Sequence, residues 1–240
     1  QNFGLESSVG LYIDGVYRAR QASMFNQLVD LEVIEILRGP QGTLFGKNSA
    51  SGALLVSSVK PSHDQNAFLD FTAGNYSMAN FSGGFNVSLS DTLAARTTIF
   101  SGERDGYIEV DNLSGELNDR SRWGIRQQFL YEPSDDFSAR VIIDYSEINE
   151  VCCAALTLKD SLVASGRTDN GGPVFGSDAI LTALGGTIYP TGSFDNGRLS
   201  LNELPSSENE DSGISLEINR SFDNFDFVSI PAFLSFDIRD

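Results

Sequence analysis

Histidine and cysteine are nearly missing from this 240-residue sequence: His63 is its one histidine, and Cys152 and Cys153 are its two cysteines. That scarcity removes most metal sites, and with them every nucleophilic triad that needs a second imidazole nearby. His63 lies in the polar, turn-like segment KPSHDQN, where a solvated ring is the ordinary expectation. Ser57 to Lys60 fit an S-x-x-K spacing, but no K-T-G or S-D-N follows, so chance accounts for the match. The expectation is a protein that is not an enzyme, with no metal and no cofactor.

Basic residues are also scarce. Lys and Arg number 16 against 33 acidic residues, a formal charge of −17, which argues against nucleic acid as a partner. No run approaches the roughly 18 apolar residues of a membrane helix, and the start, QNFGLESSVG, has neither a basic nor an apolar signal region. A helical membrane protein is excluded. A β-barrel is not, because its strands carry apolar residues only at alternate positions. The 40% hydrophobic content is enough for a folded core in one large β domain or two smaller ones.

The segment RGPQGTLFGKNSASGALLV, from Arg38 to Val56, resembles a phosphate-binding loop at first sight. A Walker A loop needs G-x-x-x-x-G-K-[ST], so that a fixed set of backbone N–H groups wraps the phosphates and a hydroxyl holds Mg²⁺. Gly42 and Gly46 are one residue too close for that, and Asn48 stands where the hydroxyl belongs. The segment needs another explanation.

Up to residue 62 the texture is mixed. Val9 to Tyr17 alternates as a strand with a turn at Asp14-Gly15; Leu28 and Leu31 fit a short helix; VIEIL suits a strand ending at Arg38. Gly39 to Gly42 form a turn, and GALLVSSV is the next strand. After Asn66, strands alternate. Phe81, Gly83, Phe85, Val87 and Leu89 share one face, and the pattern repeats at Leu93 to Ile99, Trp123 to Tyr131, Phe137 to Tyr145 and Ile214 to Phe222. Arg96, Arg126, Arg140, Asp144, Glu217 and Asn219 fall on the opposite faces.

A β-sandwich shows the same alternation, so the connections have to discriminate. Tight turns around Asp91, at 132–137 and at 221–226 alternate with the long connection GYIEVDNLSGELND and a polar stretch from about 150 to 211. Outer-membrane barrels have this rhythm, and compact soluble domains rarely hold such long loops. Trp123 and Tyr131 are about 27 Å apart along a strand at roughly 3.3 Å per residue, or about 20 Å vertically at a tilt of about 40°. That separation places the two rings near the edges of an apolar band about 25 Å tall.

Together VGLYIDGVYRAR, LEVIEILRGPQGTLFGKNSASGALLVSSVKP and the strands that follow resemble the TonB-dependent outer-membrane receptors. Ile34 to Leu54 follow the family's I-E-V-L-R-G-P-Q-G-T-L-F-G-[RK]-N motif almost letter for letter. The resemblance implies a mixed α/β plug, of which residues 1–62 are the C-terminal part. Antiparallel transmembrane β-barrel strands follow over 63–240, making the fold mainly β, with a long extracellular loop at about 150–211. It further implies an outer-membrane location in a Gram-negative bacterium, contact with outer-membrane lipid, and a TonB-type energy-transducing partner whose contact segment is not in this sequence. The ligand would be a scarce nutrient, a ferric siderophore being the first expectation.

Within the motif the resemblance assigns a structural or gating role to Glu35, Arg38, Gly39, Pro40, Gly42, Gly46, Asn48 and Gly52. The glycines are expected to pack where larger side chains would collide. Glu35 and Arg38 are candidates for ion pairs with the barrel wall, with capping of a local turn by Arg38 as the open alternative. About seven strands can be counted against about 22 in plugged transporters, so the sequence reads as an incomplete fragment of a plugged barrel. Two other functions stay open: a passive pore or adhesin barrel, and a soluble carbohydrate-binding β-domain. Cys152 and Cys153 form either a vicinal disulfide at the base of the long loop or two reduced thiols packed as small hydrophobes.

Overall fold

The computed structural model describes residues 7–19, 28–152, 183–185, 198–199, 201 and 203–239. A first sheet holds β1 (Val9–Ile13), β2 (Val16–Tyr17), β3 (Leu31–Arg38) and β4 (Gly52–Ser58), with α1 (Gly42–Phe45) between the last two. Its strand order is β2-β1-β4-β3, with β1 and β4 parallel and the other pairs antiparallel. Asp14 and Gly15 both have positive φ, the backbone of the two-residue hairpin expected from the Asp-Gly pair. Leu11, Ile13 and Val56 form the sheet's small core, with Leu31 and Leu54 packed against it.

The short helix expected around Leu28 and Leu31 does not form. Leu31 opens β3, and Asp30 before it takes a left-handed conformation, φ 57°. That conformation breaks a helix, and the Asp30 carboxylate is drawn to a second sheet instead.

This second sheet consists of β5 (Asn66–Gly74), β6 (Met78–Ser90), β7 (Leu93–Arg104), β10 (Arg120–Ser134), β11 (Phe137–Glu150), β13 (Ser207–Phe222), β14 (Phe225–Ser229) and β15 (Ala232–Arg239). Every pair is antiparallel, and sequence neighbours pair in order. The sheet is open and does not close into a barrel. β14 and β15 both pair with β13, at its two ends, separated by Ile230-Pro231. Proline has no N–H to give the ladder, so one strand is broken into two there. Tight turns at Asp91-Thr92, Asp135-Asp136 and Asp223-Asn224 lie at one end of the sheet.

At the other end the connection expected to be plain loop contains β8 (Ile108–Val110) and β9 (Glu116–Leu117). With β12 (Arg198–Leu199) they form a three-stranded sheet around Ile108, Val110 and Leu117. Most of the stretch 150–211 lies outside the described residues, but Ser207 to Asp211 are strand and not loop. SENED reads as loop because it is polar, yet it extends β13 and pairs with the end of β11 and with β15.

Burial in the large sheet is inverted relative to a water-soluble protein. Phe85, Ile99, Ile143 and Ile214 are 52%, 41%, 44% and 48% exposed, while Asn86, Arg96, Gln128 and Arg140 on the other face are 2%, 4%, 0% and 3% exposed. The apolar face is turned outward, and the polar face is covered by the small sheet.

Candidate functional site

The motif segment is a β3–β4 connection folded onto β1. Gln41 N and Gly39 N donate to the carbonyls of Ser49 and Ser51, closing the base of the loop. The Tyr12 hydroxyl donates to the Phe45 carbonyl at 2.6 Å and its ring lies 5.0 Å from that of Phe45, so β1 holds α1 in place. Burial, with Tyr17 adding to it, pushes the Tyr12 phenol above its ordinary range and keeps it a neutral donor. Asn48 adopts φ 63° and donates to the Tyr17 hydroxyl at 2.7 Å, which gives this motif position a conformational and a hydrogen-bonding reason.

The motif glycines divide. A Cβ at Gly52 would strike the Leu37 carbonyl, so crowding is real there. Gly39, Gly42 and Gly46 have no neighbour within 4 Å of such an atom, and Gly39 and Gly46 serve instead through positive φ. Pro40 lies exposed between Gly39 and α1.

Glu35 and Arg38 are exposed, and neither makes an ion pair with the large sheet among the described residues. Other residues take that role. Asp30 receives the Arg96 guanidinium through both oxygens, Nε to Oδ2 at 2.7 Å and a terminal nitrogen to Oδ1 at 2.6 Å, plus the Thr98 hydroxyl at 2.5 Å. Arg18 donates to Asp144 at 3.1 Å and to Asp211 at 3.4 Å. Asp14 accepts from the backbone and hydroxyl of Ser58 and from Arg140 at 3.1 Å, and Arg140 also donates to Glu217 at 3.0 Å. Arg126 donates to the Val29 carbonyl at 3.2 Å, and Gln128 to that of Val59 at 3.0 Å.

The turn carrying Asp14 also touches the wall at its broken strand, where a Cβ on Gly15 would come 2.6 Å from Ile230 Cδ1. These charges are buried, so removing one member strands its partner at a cost of about 3–5 kcal/mol. An interface of this kind is firm when dry, yet its separated halves regain hydration once water enters, unlike the faces of an apolar core. Arg96, Arg126, Arg140, Asp144 and Glu217 of the wall stood out in sequence as charges on otherwise strand-like segments, whereas Asp211 was hidden in the polar SENED. Asp14, Arg18 and Asp30 did not stand out either, because each sits in or beside a turn, where a charged residue is ordinary.

The TonB-dependent Receptor Plug Domain family matches residues 2–53, which include the motif and most of the small sheet. Those residues are a TonB-dependent receptor plug. Over 81 residues, 34% of this chain and 12% of the relative, the sequence is 32% identical to the pesticin receptor of Yersinia pestis. Over 128 residues, 52% of the chain and 16% of the relative, it is 28% identical to the ferrichrome outer membrane transporter/phage receptor of Escherichia coli strain K12. Among solved structures, the ferric yersiniabactin uptake receptor FyuA from Yersinia pestis superposes with TM-score 0.69 at 17% identity, covering 96% of this chain and 32% of that one. The ferric-catecholate import receptor Fiu from E. coli K12 gives 0.68 at 13%, covering 98% and 33%.

The chain thus spans about a third of the length of these solved receptors. Its fold is that of their plug and adjoining wall strands. The charge network is a plug-to-wall contact, and the names of the relatives include an outer membrane transporter, an uptake receptor and an import receptor.

The cysteine pair is only partly described. Cys152 is disulfide-bonded, and Cys153 lies outside the described residues.

Proposed function

We propose that residues 1–62 are plug and 63–240 the first wall strands of a receptor in the outer membrane of a Gram-negative bacterium. The receptor binds a scarce nutrient outside the cell and admits it when a TonB-type partner pulls on the plug. Inverted burial carries the reading: charged side chains on one face of the wall are buried against the plug, while isoleucines and phenylalanines on the other face are left for lipid. No bond-making chemistry is required. The named ligands of the relatives, ferrichrome and ferric catecholates among them, support a ferric siderophore as the first substrate to try.

A passive pore has no use for a part bound across its wall by buried ion pairs. Uptake by cells carrying the full-length gene decides between the two: it collapses when the proton gradient is discharged if the plug must be pulled. Uptake that continues at the same rate would leave the pore.

A further inference from the structure

Toward the long connections, on the same inner face of the wall, lies a cavity of about 230 Å³ that, among the described residues, touches the plug at Val29. Asp70 of β5, Asn80 and Ser82 of β6, Phe100 of β7, and Arg120 and Arg122 of β10 line it. Gly102 lines it as well. A Cβ there would come 3.0 Å from Asn80 Oδ1, 3.5 Å from Arg122 Cγ and 3.7 Å from Arg120 Cδ, so the missing side chain lets groups from both neighbouring strands lean together.

Arg120 stands directly opposite Arg104 in the ladder, an arrangement that like charges disfavour unless each finds a partner. Arg104 donates to the Asn118 carbonyl at 2.6 Å and lies over the Tyr107 ring. Arg122 is held by Glu150 at 2.5 and 2.8 Å. Arg120 has neither an ion pair nor a hydrogen bond among the described residues, and the same holds for Asp70. Arg120 also lines the adjoining cavity of about 400 Å³ beside Ser77, Asp119 and Val151, so it is reached from the side of the long connections.

The groups left without a partner among the described residues specify a ligand. A guanidinium fork matches a carboxylate through two parallel hydrogen bonds. The Asp70 carboxylate accepts hydrogen bonds, so it favours hydroxyl donors over a bare anion; Asn80 and Ser82 give and accept. The Phe100 ring offers an apolar flank for C–H surface. A neutral sugar leaves Arg120 unmatched, and a simple phosphate meets Asp70. The volume is below the roughly 300 Å³ at which whole small-molecule pockets begin, so one end of a ligand fits.

We infer that this cavity is a subsite for a hydroxylated carboxylate, a sugar acid or α-hydroxy acid, free or as the shell of a chelated metal. The inference rests on the receptor reading and narrows its substrate.

The test is equilibrium dialysis of the full-length receptor in detergent against labelled galacturonate, citrate, ferric citrate, galactose and inorganic phosphate. Saturable binding of at least one carboxylate probe is expected, with galactose and phosphate at least tenfold weaker. Arg120→Gln weakens the carboxylate probe tenfold or more, Arg120→Lys weakens it less, and Gly102→Leu abolishes it. Heat-modifiable gel mobility confirms folding, and if Gly102→Leu does not fold, the two Arg120 variants decide. Binding of ferric citrate without the free acids assigns the chelate as the source, and binding of the free acids alone assigns the acid. No binding of any carboxylate by the wild type, equal binding of phosphate, or an unchanged Arg120→Gln affinity overturns the inference. Proton-gradient dependence of uptake is scored separately, so a protein that binds but does not transport sinks the receptor reading and leaves the subsite standing.

Discussion

Asp30 and Arg96 are joined by two hydrogen bonds across the plug-to-wall boundary, with side chains 4% and 5% exposed. Neither charge has water to fall back on. Asp30→Ala in the full-length receptor is therefore expected to weaken plug docking by about 3–5 kcal/mol, because it leaves a buried guanidinium behind. Asp30→Ala with Arg96→Met removes both charges and recovers much of that loss. Urea midpoints for proteolysis of the plug measure both variants. Equal midpoints for the single variant and the wild type would mean that the pair holds nothing.

Deleting residues 34–54 removes most of β3, all of α1 and the start of β4, and with them the support for the edge that carries Asp30. A barrel that conducts poorly in planar bilayers should become an open channel. Conductance that stays at the wild-type level would show that this segment does not fill the lumen.

The alternating strands were legible because the outward face needs apolar residues at every second position and the turns need Asp and Asn. Polar interruptions of that face resolve in pairs. Thr97 and Gln127 lie opposite each other in the ladder and hydrogen-bond at 2.6 Å, so neither is left unsatisfied on the outward face. The plug's wall contacts were not legible. Which of two exposed-looking charges, Arg38 or Arg18, meets the wall depends on how one sheet lies against another, and no local periodicity encodes that. The sheet of β8, β9 and β12 was hidden for the same reason, since it joins short pieces from two connections.

The motif glycines should not be equally replaceable. Gly42 is exposed, has open space around it and no positive φ, so Gly42→Ala should change stability by no more than about 0.5 kcal/mol. Gly52 has φ +155° and the Leu37 carbonyl in the way, so Gly52→Val should disrupt β3–β4 pairing and expose the plug to protease. Equal protease resistance of the two variants would refute the division.

Asp136 gives a pH signature at the turn end. The Ser134 hydroxyl at 2.5 Å and then the Arg220 guanidinium at 2.9 Å hold its carboxyl below the ordinary range. A depressed folded pKa stabilises above the unfolded value of about 3.9, and that contribution is lost as pH falls through the folded value. Asp136→Asn should lower the denaturation temperature slightly at pH 6.5, with the difference gone near pH 2.5. Solvent exposure of both partners keeps the effect small and salt-sensitive. A gap that widened in acid would reverse the assignment.

Labelling of Cys152 tests which end of the wall faces outward. This residue follows β11 at the end where the long connections gather, and the neighbouring Val151 is clamped there: its N–H donates to Asp119 at 2.6 Å and its carbonyl accepts from Asn118 at 2.7 Å. In outer-membrane barrels the long connections face the exterior and the tight turns the periplasm. The turns at Asp91-Thr92, Asp135-Asp136 and Asp223-Asn224 lie at the opposite end from Cys152, so on the receptor reading proposed above β11 runs outward. After mild reduction, a membrane-impermeant maleimide applied to intact cells should label Cys152 in the full-length protein, and Cys152→Ser should remove that share of the label. Labelling only after the outer membrane is opened would point this end inward. It would then place the arginine-lined cavity on the periplasmic side, where no nutrient arriving from outside could meet it before the plug.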